Sequence, residues 1–161
     1  MFELTPVKIL AAGASVLVAC ATVGAGTAAA ASPVPLSTQF RACDHTNLEF
    51  VDATGYGVGV AYIGPAGNGT FVAKIDLNSA LPNTRYDVRV IQTPRPSIGC
   101  AAGAPGVVTG SLQTDGVGLG STTLTGPIGE GKTGAWVSVE LPSPFSQTPT
   151  ETYTTDFIAA L

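Results

Sequence analysis

The sequence has 161 residues, enough for one domain plus a targeting segment, and is 45% hydrophobic with only 11% charged residues, against roughly 25% charged in an average soluble domain. Its net charge of −4 argues against nucleic acid as a partner, because a binder needs basic residues to neutralise phosphates, and gives no pull toward an anionic membrane surface. With 20 Gly, 12 Pro and so few charges, the chain has little helix-forming polar surface.

In chain order, Lys8 is followed by an uncharged apolar run from Ile9 to Val23, then by small residues from Gly24 to Ala31 and the Ser32-Pro33-Val34-Pro35 break. That order predicts a secretory signal peptide over residues 1–31. The run is too short and too rich in Ala and Gly for a permanent span, which needs about 20 predominantly apolar residues. Two processing routes fit. A general signal peptidase reads small residues one and three before the cut, which Ala28 with Ala30, or Ala29 with Ala31, supply. Alternatively, Leu17-Val18-Ala19-Cys20 resembles the lipobox of bacterial lipoproteins, with a signal of residues 1–19 and a lipid on Cys20. The first route releases the protein; the second anchors it at the cell envelope, with Ala21 to Thr38 as a flexible tether. On either route the chain meets a membrane only through the signal segment or that lipid.

Both routes leave two cysteines, Cys43 and Cys100, in an oxidising compartment, where a disulfide is the expected state. Residues 32–46 are expected as an N-terminal extension and residues 47–161 as an all-β domain. From Asn47 onward, short alternating runs are separated by turn residues. Leu48 to Ala53 is a first predicted strand; Tyr56 to Ile63 is a second, with Tyr56, Val58, Val60 and Tyr62 on one face. After a turn over residues 64–69, Thr70 to Leu77 returns with Phe71, Ala73, Ile75 and Leu77 inward, completing a hairpin. Arg85 to Gln92 places Tyr86, Val88 and Val90 inward. Val107 to Thr114 and Leu119 to Thr125 are predicted as a second hairpin around Asp115-Gly116. Ala135 to Leu141, with Val137, Val139 and Leu141 inward, and a closing strand Tyr153 to Ile158 complete about seven or eight strands. This predicts a two-sheet, immunoglobulin/fibronectin-like sandwich with Greek-key connections.

The phrase Leu81-Pro82-Asn83-Thr84-Arg85-Tyr86 resembles the fibronectin type III signature in which Leu, Pro and Thr precede a Tyr opening an alternating strand. The resemblance implies that Tyr86 is a tyrosine corner, whose hydroxyl bonds back to nearby backbone. The Ala-rich leader, the two cysteines and stretches such as Gly110-Ser111-Leu112-Gln113-Thr114-Asp115-Gly116 resemble small secreted or lipid-anchored β-sandwich proteins of mycobacteria and their relatives, most of which have no assigned function. That resemblance implies an envelope or extracellular setting and nothing catalytic.

No catalytic, cofactor or metal motif stands out. His45 is the only histidine, and no serine sits in a G-x-S-x-G context. Asp44, His45, Glu49 and Asp52 have no metal-ligand spacing. Asp115-Gly116-Val117-Gly118-Leu119-Gly120 lacks the Lys and Ser/Thr of a phosphate loop and reads as a turn. Two features point to a binding surface. Gly55, Gly57 and Gly59 leave one strand face bare, open to a partner or covered by a neighbouring segment. Trp136 points away from the core if its neighbours point inward, as an exposed anchor or under a loop such as Pro142 to Pro149. The leading expectation is a noncatalytic binding module outside the cytoplasm with an envelope or extracellular partner. The alternatives are a small hydrolase of an envelope polymer and a carrier of an apolar ligand between the sheets.

Overall fold

The computed structural model describes residues 31–161; residues 1–30, which hold Cys20 and most of the expected signal segment, lie outside the described residues. Nine strands and no helix are found there: β1 (Ser32–Ser37), β2 (Val58–Gly67), β3 (Thr70–Asn78), β4 (Arg85–Thr93), β5 (Val107–Gln113), β6 (Gly120–Pro127), β7 (Gly134–Leu141), β8 (Glu151–Thr155) and β9 (Ala159–Ala160). All pairings are antiparallel, in the order β5-β4-β7-β8-β1-β2-β3-β6, with β9 beside β7.

The sheet is nearly a barrel. β1 bridges its halves on one side, pairing with β2 through Ser32 to Leu36 and with β8 through Leu36 and Ser37. On the other side, β5 and β6 meet through side chains laid over glycines: Leu124 over Gly110, Val108 over Gly126 and Leu112 over Gly120. Inside, Phe71, Ala73, Ile75, Tyr86, Val88, Val90, Val137, Val139 and Tyr153 are fully buried. They fill the space between the halves, where an apolar-ligand carrier would need a cavity.

The inward sets expected for β3, β4 and β7 hold, with Leu141 only partly buried. Four expectations are corrected. Residues 32–46 are part of the domain, because β1 lies within the sheet and the segment after it covers a sheet face; the stretch from Ser32 to Thr38 is therefore no flexible tether. Leu48 to Ala53 is not a strand: the Leu48 amide donates to Phe40 O and the Val51 amide to Leu48 O, while Phe50 stands in solvent. β5 and β6 form no hairpin, since the ladder of β5 is with β4 and that of β6 is with β3. Asp115 instead makes a tight corner, its Oδ1 accepting the Val117 and Leu119 amides at 2.9 Å each. The β2–β3 turn is shorter than expected, because β2 runs on to Gly67 and leaves Asn68 and Gly69 at the tip, both at positive φ as a tight hairpin requires.

Every residue from Gly134 to Val139 is buried, although only alternate ones face the core. The outer face of β4 and β7 is covered by the segment that follows β1, fastened by the Cys43–Cys100 disulfide across 57 residues. Under it, Trp136, Ile91 and the two cysteines form a second apolar cluster, with Val107 packed against it. In the chain-entropy description, opening such a loop costs about 4 kcal/mol, a large part of a small domain's stability. The Cys43→Ala/Cys100→Ala variant is therefore expected to lose about that much in urea unfolding, with a red-shifted Trp136 emission in the folded protein; unchanged emission would mean that the disulfide does not hold the cover in place.

Candidate functional site

β2, β4 and β6 begin, and β3, β5 and β7 end, at one pole of the barrel, so the β3–β4, β5–β6 and β7–β8 connections gather there with the segment leading into β2. A buried polar network braces this pole. Glu151, 6% exposed at the start of β8, accepts the Tyr86 hydroxyl at 2.5 Å and the Tyr153 hydroxyl at 2.9 Å on the same oxygen, Oε2. The Tyr86 hydroxyl accepts the Leu81 amide at 3.2 Å, and that of Tyr153 accepts the Gly57 amide at 3.1 Å. The two rings meet edge to face at 6.1 Å. Burial first, and then the bond to Glu151, pushes the Tyr86 hydroxyl well above its ordinary range. Burial pushes Tyr153 up to about 12, with the Gly57 amide acting against it. Both phenols therefore stay protonated as donors at neutral pH.

The loops are also tied to one another. Thr114 Oγ1 donates to Leu81 O at 2.6 Å and accepts the Thr84 amide at 2.9 Å, while the Ala80 and Asn83 amides donate to Gly118 and Asp115 carbonyls. The Thr54 hydroxyl donates to Thr150 O, and the Thr152 amide to Thr54 O at 3.0 Å. Around this braced base, apolar side chains stand in solvent: Tyr56 is 91%, Val117 70% and Leu81 41% exposed, and Phe145 in the β7–β8 loop is 97% exposed. Beside the pole, on the outer face of β2, β3 and β6, lies a concavity of about 600 Å³ lined by residues including Val58, Val60, Asp76, Asn78, Leu119 and Ser121.

Of the two alternatives left open for the glycine face and for Trp136, the structure gives the covered one in each case. Gly55 and Gly57 do face something closely, but it is the ring of Tyr153: an added Cβ would lie 2.7 Å from it at Gly55 and 3.0 Å from its hydroxyl at Gly57. Gly59 is filled over by Leu36 and the Asp76 carbonyl. The bare face is thus the inner one, and Tyr56, Val58 and Tyr62 point to solvent. Trp136 points away from the main core but is 1% exposed, so it is no free anchor; its Nε1 donates to Cys43 O at 3.2 Å. The cover is the disulfide segment and not Pro142 to Pro149.

His45 belongs to that cover, at φ 75°, with its ring 5.4 Å from Trp136 and Nε2 donating to Thr155 O at 2.8 Å. A carbonyl only accepts, so Nε2 carries a proton and is no base toward a serine. Ser37 donates to Asp156 Oδ1 at 2.5 Å, and Arg41 lies 4.0 Å from the same carboxylate. Histidine, serine and carboxylate are therefore not joined in the order a nucleophilic triad requires. Among the described residues no group of three or more His, Cys, Asp or Glu is placed to hold a metal ion.

Sequence reasoning found Tyr86 but missed Glu151 and Tyr153. Their signal is the i, i+2 spacing, which puts an acidic residue on the same inward face as a tyrosine. Comparison with known proteins adds nothing to the site: no family model, curated protein or solved structure matches the chain.

Two predictions follow from this geometry. Glu151→Gln substitutes an amide for the shared acceptor and is expected to cost about 1–3 kcal/mol of unfolding free energy, with faster hydrogen exchange at the Leu81 and Gly57 amides; unaltered exchange would show that the network does not brace the loops. Burial is the main cause that lowers the His45 pKa from 6.5, with Arg41 adding to it against the Thr155 bond and the two nearby carboxylates. The folded state then binds the proton less readily than the unfolded chain. The associated stability is fully present above about pH 6.5 and is lost as the pH falls toward the lowered folded value. Urea midpoints between pH 5 and 7 are expected to drop less for His45→Asn, which tolerates positive φ, than for the parent; parallel curves would refute the assignment.

Proposed function

We propose that this chain is a noncatalytic binding module that works outside the cytoplasm and meets an envelope or extracellular partner through the loop pole. The observation that carries this reading is the combination of a rigid base and apolar tips. Loops tied to each other and to a buried Tyr–Glu–Tyr network lose little conformational freedom on binding, which is what preorganisation contributes to affinity. Solvent-exposed Tyr, Phe and aliphatic tips are the residue types that act as anchors.

The immunoglobulin/fibronectin-like sandwich is the finer fold reading. It is supported by the strand order, in which β2-β3-β6 and β5-β4-β7-β8 are two runs joined by crossings from β3 to β4, β5 to β6 and β6 to β7. The Tyr86 hydroxyl bonded to the Leu81 amide supports it further. An oxidising destination accords with the disulfide between Cys43 and Cys100. Release by signal peptidase and lipid anchoring at Cys20 both serve such a module.

The test is to pan a phage-displayed random peptide library on the purified protein and to compare selected binders on the Tyr56→Ser/Val117→Ser/Phe145→Ser variant. All three side chains are exposed, so the fold should persist. Binders are expected to lose tenfold or more in affinity, about 1.4 kcal/mol or more; equal affinity for parent and variant would overturn the loop pole as the binding surface.

A further inference from the structure

The outer face of the β1-β2-β3-β6 half carries two adjacent rows of side chains fixed by strand register. One row reads Pro33, Tyr62, Lys74, Thr123; the next reads Pro35, Val60, Asp76, Ser121. All eight point away from the core. Pro33 and Pro35 are exposed, Tyr62 is 36% exposed, and the Lys74 and Asp76 side chains keep 53% and 35% of their surface.

A two-fold axis lying in the plane of this face and crossing the strands at the level of Ile75 would turn each row onto the other row of a second copy. Each strand would then lie over itself, running the opposite way. Proline meets proline, Tyr62 meets Val60, Lys74 meets Asp76 and Thr123 meets Ser121. Apolar groups fall on apolar groups, and opposite charges fall on each other twice. The Tyr62 ring of the second copy would arrive above Val60, at the mouth of the 600 Å³ concavity between that row and Val58, Asn78 and Leu119.

What singles out a second copy is charge complementarity, since Lys74 and Asp76 stand in adjacent rows and exchange places across the axis. The protein carries a net −4, so two copies repel over most of their surface. These two rows hold one cation and one anion, 2.6 Å apart, and are neutral as a unit. We infer that this face pairs two copies of the chain in an antiparallel, isologous dimer. Sheets stack face to face at about 10 Å, a spacing these side chains span. The two rows span about 15 Å across four strands and about 7 Å along them, a patch on the order of 100 Å², well short of a standard interface of roughly 800 Å² per partner, so the dimer is expected to be weak. The inference is independent of binding at the loop pole.

The experiment is sedimentation velocity on the purified protein from about 10 μM to about 1 mM, the range in which a weak dimer dissociates. The parent is expected to move from monomer toward dimer as concentration rises. Lys74→Asp places two anions on each copy and Asp76→Lys two cations, so each variant alone is expected to stay monomeric at every concentration. An equimolar mixture of the two restores opposite charges across the axis and is expected to recover the dimer. Circular dichroism of each variant checks the fold, and the recovered dimer shows directly that both variants are competent. A parent that stays monomeric to the highest concentration, dimers that persist in either variant alone, or a mixture that does not associate would each overturn the inference. The Tyr56→Ser/Val117→Ser/Phe145→Ser variant should dimerise like the parent, which separates this surface from the loop pole.

Discussion

A carboxyl group that is 6% exposed costs several kcal/mol to bury unless its oxygens are hydrogen-bonded. Oε2 of Glu151 gathers two phenols from different strands, Tyr86 at the start of β4 and Tyr153 two residues along β8. Each phenol has a lone pair left, and those pairs accept the amides of Leu81 and Gly57. One buried acid thereby determines where four stretches of chain must lie. Gly55, at φ 151°, and Gly57 are glycines because the Tyr153 ring needs the space that a side chain would occupy.

The disulfide segment answers a different problem. β7 is flanked by β4 and β8, and its outward residues include Trp136, whose exposure would leave a large apolar patch on the sheet. The chain covers it with the stretch between β1 and β2, using polar contacts at the margin and the Cys43–Cys100 bond at its centre. Arg41 donates to Thr154 and to the His45 carbonyl, and His45 donates to Thr155 O. His45, the only histidine in the sequence, thus packs within the cover against Trp136.

Much of the fold was legible because period-2 alternation is a local signal. Phe71, Ala73, Ile75 and Leu77, or Tyr86, Val88 and Val90, declare their faces without reference to any other strand. Partner choice is not local. Asp115-Gly116 carries the same turn chemistry whether the flanking strands pair with each other or part to separate neighbours, and here they part. β1 escaped notice because Pro33 and Pro35 read as a break, although both face outward and their missing amides cost the sheet little. For the site, Tyr86 had a recognisable phrase before it, whereas the Gly55-Gly57 positions looked empty because the ring that fills them comes from 96 residues away.

The register of β1 also fixes a direction. Ser32 lies opposite Ile63, near the β2–β3 turn, so the chain enters the domain at the end farthest from Tyr56, Val117 and Phe145. Anything carried upstream, whether a short stub or a lipid, leaves the apolar tips aimed away from its point of attachment. In the antiparallel pair the two entry points lie at opposite ends, and two tethers would pull in opposite directions. Such a pair suits a link between facing surfaces better than a cluster on one.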